Sequence, residues 1–173
     1  MRLSTKGQYA VRAMVDLAYY SKDKPVTLQE IADREEISIN YLEQLFVKLR
    51  RNRIVNSVRG PGGGYLLAGR ADKISIGDII EAVEESLAPV ACVEGDMGCG
   101  RIDKCVTFKL WKGLGDRIKD FLTSITVQDL CDDAGRMFNS QKLEVLESKK
   151  TNQGINHKCH KEHKETMNAL LKV

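Results

Sequence analysis

The sequence predicts a mainly α-helical chain that folds as a winged helix-turn-helix and carries one long amphipathic helix behind it. Three observations lead there. Apolar residues recur at helical spacing in successive stretches, Thr27 and Glu30 stand at the two ends of a capping box, and four glycines surround Pro61 between two short runs of strand-forming residues.

The first helix is expected over about Thr5 to Ser21, where Tyr9, Ala10, Ala13, Met14, Leu17 and Ala18 share a face. Lys24-Pro25-Val26 ends it, because proline cannot continue a helix. Thr27 then caps a short helix that buries Leu28, Ile31 and Ala32. Ser38 is the expected N-cap of the next helix, which runs through Arg51. That helix buries Leu42, Leu45, Phe46 and Leu49 and turns Asn40, Glu43, Gln44, Lys48 and Arg51 to other faces.

Ile54 to Val58 and Tyr65 to Ala68 read as a hairpin whose turn is Arg59-Gly60-Pro61-Gly62-Gly63-Gly64. Ser75 and Asp78 cap a further helix through about Glu85, with Ile79, Ile80 and Val83 inside. Periodicity is then lost, and Gly95, Gly98 and Gly100 gather with Cys92, Cys99 and Cys105 in a loop. The longest helical pattern spans Thr107 to Ile125, with Leu110, Trp111, Leu114, Ile118, Phe121, Leu122 and Ile125 apolar. One small lobe cannot cover so wide a face, so a second chain is expected against it. Thr126 to Asp129 opens one or two more turns, and the chain from about Asn139 is polar and lysine-rich. The expected organisation is a DNA-binding region over 1–86, a cysteine-bearing loop over 87–106, the long helix and its successor over 107–137, and a polar tail over 138–173.

Composition narrows the function. Of 173 residues 42% are hydrophobic and 29% charged, which is globular usage, and no apolar run approaches the roughly 20 residues of a membrane span. The first residues carry no secretory pattern, so a cytoplasmic protein is expected. Net charge is only +3, but from Gln44 to Ala71 no acidic residue occurs while Lys48, Arg50, Arg51, Arg53, Arg59 and Arg70 do. A one-signed field of that kind attracts polyanions. With a helix-turn-helix and a wing it points to double-stranded DNA. Asn40, Tyr41, Glu43 and Gln44 would meet base edges or phosphates in the major groove, and Lys48, Arg50 and Arg51 would lie beside the backbone. Arg59 would enter the adjacent minor groove, from a tip that Gly60, Gly62 and Gly63 allow to come close to a surface. No histidine precedes residue 157 and no nucleophile–base pair is recognisable, so an enzyme is not expected.

Five cysteines in a chain without an export signal argue against a disulfide framework and for reduced thiols or metal ligands. Six residues separate Cys92 from Cys99 and five separate Cys99 from Cys105, wider than the usual zinc or ferredoxin spacings. Spacing alone leaves a metal site and a set of redox-active loop thiols both open.

Three motifs in order resemble the IscR-like winged-helix regulators of the Rrf2 family. They are Ile39-Asn40-Tyr41-Leu42-Glu43-Gln44-Leu45-Phe46, then Val58-Arg59-Gly60-Pro61-Gly62-Gly63-Gly64-Tyr65-Leu66-Leu67, then the three spaced cysteines, within a likeness over about residues 1 to 137. The resemblance implies a homodimeric transcription regulator of partly palindromic promoter DNA. It also implies an iron-sulfur cluster, expected in the two-iron two-sulfur form, with Cys92, Cys99 and Cys105 as ligands and the long helix as the dimerisation helix. Asn40, Glu43, Gln44 and Arg59 match base-reading positions.

The sequence departs from the family at the fourth ligand. Where the iron-sulfur-biogenesis branch has a histidine, this chain has Phe108, and where the nitric-oxide-sensing branch has an acidic residue it has Gln8. Arg12, Asp103, Cys131 and solvent remain as neighbours for that position. The alternative within the same fold is a cluster-free regulator of cysteine or sulfur metabolism that responds to a partner protein or to thiol oxidation. In the tail, which holds all three histidines, Cys159 and His163 stand four apart and His160 and His163 three apart, spacings able to hold a soft divalent metal if helical, against the plainer expectation of a solvated segment.

Overall fold

The computed structural model describes residues 4–83, 87–90, 93 and 104–137. The chain divides into two compact units, 1–131 and 132–173. Cys92, Cys99, Asp103 and the tail cluster from His157 to His163 lie outside the described residues.

Helix α1 spans Thr5–Ser21 and is capped by Ser4, whose hydroxyl accepts from the amides of Lys6 and Gly7. Its inner face is Ala10, Ala13, Met14 and Leu17, as the period requires. Helix α2, Leu28–Glu35, opens with the full capping box: Thr27 Oγ1 accepts from the Glu30 amide, and the Glu30 carboxylate accepts from the Thr27 amide. Those bonds hold the Glu30 pKa below the ordinary carboxylate range, the Thr27 amide contributing most. Helix α3 spans Ile39–Arg51. Here the expectation of a side-chain cap fails, because Ser38 makes no capping bond through its hydroxyl. The turn is fixed by the backbone instead: Glu36 takes a left-handed φ of 54°, the Ile37 amide donates to Ala32 O, and the Ile37 side chain is buried.

Strands β1, Val55–Val58, and β2, Gly64–Leu67, pair antiparallel with Val55 opposite Leu67 and Val58 opposite Gly64. The glycines of the tip have two separate causes. Gly60 and Gly62 sit at φ values of +104° and +74°, which side chains rarely adopt. A Cβ on Gly64 would come within 2.4 Å of Val26 O, because β2 is bridged to Val26 by paired bonds through Tyr65. The wing is thereby sewn to the segment that opens α2. Gly64→Ala therefore drives backbone against backbone with no flexible atom to yield; it is expected to lower the thermal midpoint by several degrees and to weaken DNA binding, read by differential scanning fluorimetry and a DNA titration.

Helix α4, Ile76–Val83, is opened by Ser75 and Asp78, which exchange amide and side-chain bonds as a capping box. Helix α5, Phe108–Ser124, packs on α4 so closely that a Cβ on Gly77 would lie 2.8 Å from Thr123 Oγ1. Backbone bonds from Ile76 to Ile125 and from Val127 to Ile74 fasten the two ends together. Residues 127–137 are helical, about three turns rather than the one or two expected, and Thr126 and Asp129 form a third capping box at their start. Met14, Leu17, Ile31, Leu42, Phe46, Leu49, Ile79, Val83 and Val127 make one core between these helices.

A charged pair crosses the edge of that core. Asp16 of α1 is buried and accepts from Arg34 of α2 at both carboxylate oxygens, each at 2.7 Å. Arg34 also stacks over the Tyr20 ring, 4.3 Å from its centroid. This two-point bond sets the angle at which α2, and hence α3, leaves α1.

Candidate nucleic-acid interface and metal centre

With Leu42, Leu45, Phe46 and Leu49 turned into the core and Ile39 and Tyr41 packed against it, α3 leaves one face to solvent. Asn40, Glu43, Gln44, Val47 and Arg51 are all exposed and recur at three- and four-residue intervals, so they form one row along the helix. Val47 was not among the residues singled out from sequence. Its spacing from Gln44 and Arg51 is the signal that places it in the row, where a branched methyl can meet a thymine methyl.

Tyr41 is half-buried, and its ring meets Tyr9 of α1 edge-on with centroids 5.7 Å apart. The start of α3 is thus braced against α1. Beside it lies a groove of about 440 Å³ lined by Tyr9, Glu36, Ile37, Ser38, Asn40, Tyr41 and Gln44. Arg12 lies over the Tyr9 ring and donates to the carboxylate and the carbonyl of Glu35, at 2.8 and 2.6 Å.

The basic residues divide by environment. Arg50 reaches across to the wing, where it donates to Ser57 Oγ at 3.5 Å, while Arg51, Arg53 and Arg59 are exposed. Arg59 adjoins the left-handed Gly60 at the tip. Arg70 is paired with Asp72 through two bonds of 2.9 Å, so its charge is largely compensated on the spot. Lys48, expected beside the DNA backbone, directs its ammonium to the other side of α3 and donates to Val83 O at 2.9 Å.

Of the three loop cysteines, Cys105 is described. Its thiol is exposed just ahead of α5, and its Sγ lies 3.3 Å from Thr107 Oγ1. The Thr107 hydroxyl, with the amides of Thr107 and Phe108, draws the thiol pKa below its ordinary value. A thiol held toward thiolate is the form that ligates iron, so this residue fits the group. Among the described residues no three metal-ligating side chains converge. Phe108 is half-buried in the first turn of α5. Cys131 is half-buried with its thiol directed at Val15 O, 3.7 Å away, and Arg12 is engaged with Glu35 as above.

Helix α5 buries none of its residues completely. Trp111, Ile118 and Leu122 are half-buried, whereas Leu110 and Phe121 are 62% and 63% exposed and Leu114 is exposed beside them. The apolar face is therefore wider than the described residues cover. No described helix is long and apolar enough to cross a membrane.

A family model described as Rrf2, iron-dependent transcriptional regulator, matches residues 3–133. The chain belongs to the Rrf2 family. Among its relatives, the HTH-type transcriptional regulator IscR of Erwinia tasmaniensis is 44% identical over 173 residues, all of both chains. The IscR of Pectobacterium carotovorum is 52% identical over 130 residues, 75% of this chain and 79% of that one. Among solved structures, T. potens IscR aligns with a TM-score of 0.64 at 40% identity, covering 78% of this chain and 88% of the other. CymR, the global cysteine regulator of B. subtilis, aligns at 0.63 and 36% identity over 76% and 97%. The winged helix-turn-helix expected from the sequence is the fold of these regulators, and this Rrf2 chain is a DNA-binding transcription regulator rather than an enzyme.

Proposed function

We propose that this Rrf2 protein is a homodimeric cytosolic regulator whose affinity for promoter DNA is set by an iron-sulfur cluster held by Cys92, Cys99 and Cys105. The observation that supports the cluster is the placement of Cys105, an exposed thiol just ahead of α5 with its Sγ 3.3 Å from Thr107 Oγ1. When bound, the cluster supplies a centre whose oxidation or loss is chemically easy, in the two-iron two-sulfur form that the family resemblance implies.

The rest of the mechanism belongs to the chain's own residues. Asn40, Glu43 and Gln44 read base edges from the row on α3, with Tyr41 at its entry, and Arg50 and Arg51 lie against phosphates. Arg59 enters the minor groove from the wing, and Gly60, Gly62 and Gly63 give the tip its close approach. Leu110, Leu114 and Phe121 of α5 pack on a second copy, which places two recognition helices on one duplex. Coupling of about 1–3 kcal/mol between cluster and DNA changes occupancy by about 5- to 150-fold.

Anaerobic purification with an absorption spectrum, iron and acid-labile sulfide assays and gel filtration tests this reading. The wild type is expected to be brown, with matched iron and sulfide, and dimeric; Cys105→Ala is expected to lose the colour, and Phe121→Lys to elute as a monomer. A colourless wild type with neither element contradicts the cluster. It would favour a second reading, a cluster-free regulator of cysteine or sulfur metabolism that responds to a partner protein or thiol oxidation, for which the likeness to CymR and the exposed Cys105 thiol speak.

A further inference from the structure

We infer that Lys48 and Asn52 are positioning residues that tie the recognition helix α3 to α4, and through it to the cysteine-bearing segment that follows in the chain. The inference rests on the cluster reading above and names the route by which the segment reaches the DNA.

Two backbone carbonyls of α4 accept side-chain donors from α3. Lys48 Nζ donates to Val83 O at 2.9 Å, and Asn52 Nδ2 donates to Ala82 O at 3.4 Å while also holding Lys48 O at 3.0 Å. On its other side α4 is clamped to α5, by Glu81 on Lys119 at 2.8 Å and by Gly77 pressed on Thr123. Helix α4 is therefore a shaft between the recognition helix and the long helix.

Connectivity supplies the input. In the sequence, Val83 stands nine positions before Cys92, and Phe108 stands three after Cys105. Whatever draws the three cysteines together pulls on the chain that leads out of α4 and on the chain that leads into α5. Lys48 and Asn52 pass the first of these pulls to α3, whose rigid turns carry it to Gln44 and Asn40. A lysine within a basic run otherwise reads as a phosphate contact, so the two roles need separating.

Salt dependence separates them. Fluorescein-labelled duplex enriched from a random library by the wild type is titrated with wild type, Asn52→Ala and Lys48→Met, each cluster-loaded under anaerobic conditions and each stripped by chelation, over a series of salt concentrations. The wild type is expected to differ by at least about fivefold between the two forms. In the variants the two affinities are expected to come within about twofold of each other, with salt slopes equal to the wild type's. A phosphate contact would instead make the Lys48→Met slope shallower by about 0.9 per protomer, about 1.8 for the dimer, in both forms, and that result overturns the inference for Lys48. Asn52 lies outside the DNA-facing row, so Asn52→Ala keeps the test open if Lys48→Met does not fold. Retention of the wild-type ratio in both variants overturns the proposal while the cluster reading stands. Equal affinities in the unsubstituted protein overturn the cluster reading and this inference together, and that failure shows before any substitution is made.

Discussion

Arg34→Ala lowers the folding stability by about 3–5 kcal/mol, a large share of the roughly 5–15 kcal/mol of a small domain. The reason is the asymmetry of the pair. The Asp16 side chain is 1% exposed and Arg34 is 30% exposed, so removing the arginine strands a buried carboxylate, while removing the aspartate leaves a guanidinium that water can still reach. Asp16→Ala is accordingly the milder change. Arg34→Lys retains the charge but cannot match two oxygens at 2.7 Å with a planar fork, and it falls between the two. Urea unfolding of the three variants checks the order. Similar losses for Arg34→Ala and Asp16→Ala, or a loss under about 1 kcal/mol in both, would show that the pair is not the anchor between α1 and α2.

Arg59→Ala weakens DNA binding by about 1–3 kcal/mol, or about 5- to 150-fold, without a comparable loss of stability. Arg59 is exposed on a turn whose conformation is set by Gly60, Gly62 and Pro61, and the Arg59 side chain takes no part in the core. The loss should be greatest on duplexes whose flanks are rich in A·T pairs, because a narrow minor groove concentrates negative potential. Anisotropy titrations on flank variants at one salt concentration measure this. An equal loss on every flank would move Arg59 from the groove to the phosphates.

What the sequence made legible follows the range of the interactions. The bounds of α1, the capping boxes at Thr27 and Ser75, the helix start at Thr126 and the presence of the hairpin depend on residues close in the chain, and these were readable. The missing cap at Ser38 was not, because a backbone turn and the burial of Ile37 already close that corner. The pairs that set one helix against another join residues far apart in sequence. Asp16 and Arg34 are 18 positions apart and Lys48 and Val83 are 35 apart, and no local spacing marks either. Lys48 shows the consequence for function. Its charge belongs to the basic run, yet its ammonium sits on Val83 O of α4. The exposed row of Asn40, Glu43, Gln44 and Arg51 was legible from period alone, since the core residues of α3 leave it no other face.

The central claim, that cluster occupancy sets affinity for DNA, is tested most directly on the wild type alone. Anaerobically purified protein of verified iron and sulfide content and the same protein after chelation are titrated against one labelled duplex at one salt concentration. The account expects dissociation constants that differ by about 5- to 150-fold. Equal constants for the two forms would contradict it.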